Sequence, residues 1–251
     1  MVDKWRLIID GPGHPAWNMA VDEALLNGQH LNNATPVLRF YTWDRPTLSI
    51  GHFQKANSIL VERLQALGIY PVRRISGGAA VLHGCDLTYS VTARVGGHLP
   101  LGIMASCQYI CRGILEGLQM LGIPAEFGQD RSSSDRPASC FVISASTDIV
   151  YQGRKLAGSA QHRKGEALLQ HGSIMLRDNA QMLEQLFSST AQDSIALEQI
   201  LQRPLSDREL ITTLRTGFSQ ALGIKLGESG LEKKERAMAE QLVEVVAHRW
   251  P

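Results

Sequence analysis

No stretch of this 251-residue chain approaches the ~18 consecutive apolar residues that a membrane-crossing helix needs. The start, Met1 to Arg6, carries no apolar run of the kind a secretory signal requires, so the cytoplasm is the expected compartment and no membrane is expected as a partner. Cysteine is scarce. Four thiols, Cys85, Cys107, Cys111 and Cys140, cannot build a disulfide scaffold and stay reduced in a reducing compartment. Charge of one sign is missing too: 25 Lys+Arg against 24 Asp+Glu leave +1 with histidines neutral, without any basic block, which removes the usual footprint of nucleic-acid binding. The eight histidines form no H-E-x-x-H pattern and no paired Cys-x-x-Cys accompanies them, so no metal site is expected. Also absent are a G-x-S-x-G elbow, a G-x-G-x-x-G fingerprint and a P-loop, which takes away a serine hydrolase, a dinucleotide site and a nucleotide cradle. No internal repeat or interdomain linker interrupts the chain, and 44% hydrophobic residues suffice for one sizeable core.

What is present mixes helix and strand signals. Apolar residues Ile103, Cys107, Ile110, Cys111, Ile114, Leu118 and Leu121 recur at helical steps up to Gly122. Shorter helices are expected from Ala16 to Leu26 and from Ser58 to Leu67, the latter ending at Gly68. Ser206-Asp207-Arg208-Glu209 has the form of a capping box ahead of an apolar face, and a last helix is expected from Leu231 to Val246. Between these lie strand-like segments: Val37 to Tyr41, Leu48 to Ile50, Val72 to Ile75, Leu87 to Ala93, Ala138 to Ile143, Asp148 to Tyr151, Lys155 to Ala157 and Leu168 to Leu176. The irregular interleaving predicts an α+β fold with a mixed sheet and flanking helices, in a single domain over 1–251 with C-terminal helices over 206–248 packed on it.

Two segments could carry chemistry. One is Arg73 through His83, where Ser76-Gly77-Gly78 lets backbone N–H groups approach a ligand closely; a plain turn between strands would look the same. The other joins Ser139-Cys140-Phe141 to Gly153-Arg154-Lys155 and Gly158-Ser159-Ala160. A meander turning near Ala145 and at Gln152-Gly153 pairs Cys140 with Val150 and Val150 with Lys155, which puts the thiol and the ammonium on one face, about 9–10 Å apart at Cα. A cation there favours the thiolate, the nucleophilic form of cysteine. Taken singly, such a cysteine is also a small buried hydrophobe and such a lysine a solvated charge. Cys107 and Cys111, one helical turn apart in the apolar stripe, have the placing of core residues.

At these residues the sequence resembles the biotin/lipoate protein ligase and octanoyltransferase superfamily, and within it the cysteine-dependent octanoyltransferases. The resemblance runs through Trp17 to Leu26, Leu38 to Trp43, Pro46 to Gln54, Arg73 to Gly78, Ala80 to His83, Leu87 to Ser90, Ser139 to Phe141, Gly153 to Lys155, Gly158 to Arg163 and Leu169 to Ile174. It implies a mixed, largely antiparallel sheet and an enzyme that moves octanoyl from acyl carrier protein, through a cysteine acyl-enzyme, to a lysine of a lipoyl domain such as the glycine-cleavage H protein. It gives Cys140 the role of nucleophile and Lys155 that of the cation beside it. Arg73, Ser76, Gly77, Gly78 and His83, with Gly158, Ser159 and Ala160, would line the acyl site. It implies no cofactor, since the acyl group arrives activated on phosphopantetheine. Gly84 and Asp86 depart from the family pattern, which usually carries an acidic residue and then a glutamate there. An ATP-dependent lipoate ligase and an octanoyl amidotransferase acting between lipoyl domains are the alternatives within the same fold.

Overall fold

The computed structural model describes residues 3–32, 34–129, 146–187 and 194–250. The chain opens with β1 (Asp3–Gly13) and α1 (Pro15–Asn32), then runs through β2 (Val37–Trp43), β3 (Thr47–Ile50), α2 (Ser58–Ala66), β4 (Tyr70–Arg73), β5 (Val81–His83), β6 (Asp86–Arg94), α3 (Ile103–Met120) and β7 (Glu126–Phe127). The second half comprises β8 (Ile149–Tyr151), β9 (Arg154–Lys164), β10 (Ala167–Met175), α4 (Ala180–Phe187), α5 (Leu197–Leu201), α6 (Asp207–Leu222), β11 (Ile224–Glu228) and α7 (Lys233–Ala247).

Among the described residues the main sheet has the order β11-β1-β2-β6-β10-β9-β8-β7. Its β1 pairs in parallel with both neighbours, and every other pairing in it is antiparallel. This is the mixed, largely antiparallel α+β arrangement that the sequence predicts. A small second sheet, β4-β3-β5, packs its Leu48, Ile50 and Leu82 against Leu64 of α2 and Leu183 and Leu186 of α4. No helix among the described residues is long and apolar enough to cross a membrane.

The two faces of the main sheet differ in chemistry. Leu38, Phe40, Leu87, Tyr89, Val91, Leu168 and Ile174 point toward α3 and α6, where Ile110, Ile114, Leu118, Leu214 and Phe218 complete the largest core cluster. The alternate residues Arg39, Tyr41, Thr88, Ser90, Thr92, His171 and Ser173 lie on the opposite face, the side of α1, and are also buried. A polar group taken out of water costs free energy unless it is hydrogen-bonded, so a buried polar face demands a designed network.

Several sequence expectations meet the structure closely. Gly68 and Gly122 follow α2 and α3 with φ of 64° and 78°, the left-handed conformation that lets a helix stop. Ser206 caps α6, its Oγ accepting from Glu209 N at 3.2 Å. The capping box is not closed, however: the Glu209 carboxylate turns to Arg203, 2.7 Å away. The helical reading of the last fifth also misses β11, which pairs with Asp3 to Leu7 of β1 and so inserts the C-terminal region into the sheet. β4 stops at Arg73, so Arg74 and Ile75 fall in the turn that the sequence assigned to a strand.

Candidate active site

The hairpin predicted at Gln152-Gly153 is present. Both residues take positive φ, 50° and 75°, and Tyr151 faces Arg154 while Val150 faces Lys155. On its other side Val150 pairs with Glu126 of β7, so that edge of Val150 is taken by a two-residue strand that gave no signal in the sequence. Cys140 itself, with Ser139, Phe141 and the expected strand from Ala138 to Ile143, lies outside the described residues.

Lys155 is 4% exposed and its Nζ lies 2.7 Å from Asp148 Oδ2, both side chains being buried. A register shift between Ile149 and Val150 places an extra residue in β9, so that Leu156 and Ala157 both join the core cluster on the α3 side. The alternation of the strand is thereby reset. Lys155 and Gly158, an odd number of residues apart, face the same way, and a Cβ on Gly158 would stand 2.9 Å from Lys155 Cε and 3.1 Å from Nζ. The glycine is the space in which the ammonium lies.

Further along β9, Gly158 pairs with Ser173 and Ala160 with His171, on the polar face. Here two imidazoles are held in like fashion. His171 Nδ1 faces Asp22 Oδ2 at 3.3 Å and its Nε2 lies 2.6 Å from Ser76 Oγ. His83 Nδ1 faces Asp86 Oδ2 at 2.8 Å and its Nε2 lies 2.9 Å from Ser49 Oγ. Each is a carboxylate, an imidazole and a hydroxyl in series: Asp22 of α1, His171 of β10 and Ser76 of the turn after β4 in one, Asp86 of β6, His83 of β5 and Ser49 of β3 in the other. Burial pushes the Asp22 carboxyl up, but the hydrogen bond from His171 and the charge of Arg39 outweigh it and hold it below the ordinary aspartate value. Burial acts likewise on Asp86, where the charge of His83 and hydrogen bonds from His83, Ser173 and Gly84 N reverse it.

The turn over this face is held by two arginines. Arg73 gives its donors to the carbonyls of Gly51, His52, Gln54 and Arg249, and Arg74 to those of Ser49, Gly77 and Ala79. Arg73, expected to line the acyl site, thus works as a clamp on the backbone. Gly78 has a φ of 91°, and Gly51 approaches its carbonyl so closely that a Cβ would stand 2.0 Å from the oxygen. His162 hydrogen-bonds the backbone of Ile75, which lays the turn over β9.

The structure therefore brings Lys155, Gly158, Ala160, Ser76, Gly77, Gly78 and His83 to one face. It turns Ser159 to the other, where its Oγ meets Tyr89 OH at 2.7 Å and Cys111 Sγ at 3.8 Å. Asp148, Asp22 and His171 were not assigned a role from sequence. The strand segment holding Gln170-His171-Gly172 was visible as a motif, but nothing in spacing could say that Asp22, 149 residues earlier, stands behind it.

A catalytic domain with a ligand turn over a buried polar face is what such a sheet, clamped glycine turn and buried lysine fit, and over residues 14–219 the chain matches the lipoyl protein ligase A/B catalytic domain. The chain belongs to that family. Among its relatives, the octanoyltransferase LipM of Brevibacillus brevis is 36% identical, with 96% of this chain and 95% of that protein covered. The octanoyltransferase LipM of Carboxydothermus hydrogenoformans is 37% identical over 96% and 95%. Of solved structures, a lipoate-protein ligase A bound with ATP superposes with a TM-score of 0.82 at 26% identity, over 96% of this chain and 94% of that one. A bi-partite lipoate protein ligase of Thermoplasma acidophilum shares the fold, with a TM-score of 0.77 at 23% identity over 97% and 93%.

Proposed function

We propose that this protein is an octanoyltransferase of lipoate biosynthesis, taking octanoyl from acyl carrier protein and passing it to the acceptor lysine of a lipoyl domain. The observation that carries this reading is near-full-length similarity, at 36% and 37% identity, to two octanoyltransferases. The Lys155–Asp148 pair supports it. In the first half-reaction the Cys140 thiolate attacks the octanoyl thioester, the C–S bond to phosphopantetheine breaks, and the acyl group rests on the enzyme. In the second the acceptor amine attacks that thioester, forming the amide and releasing Cys140. Lys155, a buried cation, favours the Cys140 thiolate both as attacking group in the first half-reaction and as leaving group in the second. Backbone N–H groups of the Ser76-Gly77-Gly78 turn, together with Gly158 and Ala160, suit the oxyanion and the chain, whose burial contributes about 0.8 kcal/mol per methylene. No cofactor enters this scheme, and we place it in the cytoplasm.

Incubation with octanoyl-acyl carrier protein and no ATP tests it. One octanoyl mass should appear on the protein, be removed by hydroxylamine, and be missing in Cys140→Ser. Labelling only with free octanoate and ATP would make the chain a ligase. Labelling from an octanoylated lipoyl domain, and none from the carrier protein, would make it an amidotransferase.

A further inference from the structure

We propose that Arg249 and Glu23 are positioning residues for the glycine turn: they fasten the segment after α7 as a strap, whose backbone sets Arg73 and, through it, the loop on which Ser76-Gly77-Gly78 rests. The catalytic meaning of this placing rests on the octanoyltransferase reading; the placing itself does not. Arg249 follows α7 and reaches across to α1, where its two terminal nitrogens meet the two carboxylate oxygens of Glu23, Nη2 at 2.8 Å. Glu23 is 8% exposed, so this forked pair lies largely out of water, where one charge without the other is strongly unfavourable. Next in the chain, Trp250 packs against the apolar cluster of the small sheet. Side chains on both sides thus pin one peptide carbonyl, that of Arg249.

That carbonyl accepts from Arg73 Nε at 3.0 Å. A guanidinium is a rigid planar fork, so a bond that fixes Nε also fixes where the other nitrogens point. Arg73 Nη1 points to the carbonyls of Gly51, His52 and Gln54, at 3.0, 3.0 and 2.7 Å. The loop wound about this nitrogen carries the turn. His52 N donates to Ser76 O at 2.9 Å, and Gly51 lies against the Gly78 carbonyl with no room for a Cβ. Arg74 closes the turn on itself through Gly77 O and Ala79 O, at 2.9 and 2.7 Å. Arg74 therefore gives the turn its shape, and Arg73 decides where it lies.

What the turn offers a ligand depends on that placing. The N–H groups of Gly77 and Gly78 meet no acceptor among the described residues, and Gly78 is exposed beside the half-buried Gly77. Two adjacent backbone donors suit an acyl oxygen that gains negative charge, provided the backbone is in place before the ligand arrives. Glu23 also borders this turn from α1: its charge reaches His162, whose ring holds the Ile75 backbone. Arg249 and Glu23 touch no reacting atom in this account. They act through Arg73, by keeping the 51–54 loop and the turn in register.

Amide hydrogen exchange and loading from octanoyl-acyl carrier protein, both on the full chain, test this together. In Arg249→Met the amides of His52 and Gln54 should exchange faster by about tenfold or more, because the loop opens locally. The amides of Val91 and Leu169, inside the β6 and β10 ladders, should keep their protection. Loading at subsaturating donor should slow in parallel. Arg249→Lys keeps the cation and should recover most of both effects. The double variant Glu23→Gln with Arg249→Met strands no charge, yet should behave as Arg249→Met does; recovery in it would trace the effect to an unpaired carboxylate and overturn the proposal. Unaltered exchange at His52 and Gln54, equal acceleration across the sheet, or faster exchange with unslowed loading overturns it as well. Should Arg249→Met not fold, the double variant decides on the same readouts. If the unaltered protein takes up no octanoyl, the octanoyltransferase reading fails, and the exchange rates alone decide whether the strap seats the turn.

Discussion

Gly158 is the floor on which the Lys155 side chain lies, its missing Cβ leaving room 2.9 Å from Lys155 Cε. Gly158→Ala should therefore separate activity from stability. The clash is with the end of a flexible side chain, which can move aside, so the thermal midpoint should fall by only a few degrees. The ammonium, displaced from its place beside Gly158 while still paired with Asp148, should no longer serve the thiol, and turnover should drop at least tenfold. A midpoint loss as large as that of a core mutant, or unaltered turnover, would contradict this account.

Lys155→Ala should raise the pH at which a thiol reagent modifies Cys140, because removing a nearby cation disfavours the thiolate. The same change takes the cation from a carboxylate buried at 4% exposure, and breaking such a pair costs about 3–5 kcal/mol. The double variant Lys155→Met with Asp148→Asn should recover much of that stability and none of the activity. Chemical denaturation and alkylation against pH read the two effects separately; an unchanged alkylation profile removes Lys155 from its assigned role.

Much of this site was written locally, and what was not depends on distant packing. Gln152-Gly153 announced a hairpin, and the Val150 to Lys155 register followed by counting. Counting could not reveal the strand on its far side, because Glu126-Phe127 is too short to show a period yet takes that edge. β1, with Ile8 buried on one side and Leu7 on the other, runs on through Gly11-Pro12-Gly13, residues that by themselves read as a turn and not as a strand. The extra residue at Leu156 and Ala157 was equally silent, although it decides which way Gly158 faces. The Asp22 network joins α1, β2, β6 and β10 through single side chains, a relation that no periodicity encodes.

Acid should find Asp22 and Asp86, two of the buried aspartates, late. Both carboxyls are held below their unfolded value of 3.8, Asp22 by His171 and Arg39 against its burial and Asp86 chiefly by His83 against its own. A carboxyl depressed in the folded state contributes stability that is complete above the unfolded value and is lost as pH falls through the folded one. This source should thus leave the thermal midpoint level from pH 7 to about 5 and steepen its fall below about 4. Ser90→Ala and Ser173→Ala each remove a hydroxyl donor, at 2.8 and 2.7 Å, and should make that acid limb shallower while lowering stability at neutrality. Steeper limbs in the variants would reverse the assignment.

The α3 and α6 contact supplies a control remote from the polar face. A Cβ on Gly217 would stand 2.4 Å from Gly117 N and 2.5 Å from Gly113 O, both backbone atoms that cannot turn aside. Gly113 is similarly covered by the Phe218 ring, so the two helices cross at backbone distance and carry that side of the core. Gly217→Ala must push the helices apart, and overpacking of this kind costs about 1–3 kcal/mol. Helix propensity runs the other way, favouring alanine by about 1 kcal/mol, so the net loss should be smaller than the strain alone. The pH at which Cys140 is alkylated should not move, since Lys155 and Asp148 lie on the other side of β9; a shifted profile would mean that the site feels the helix pair through the sheet.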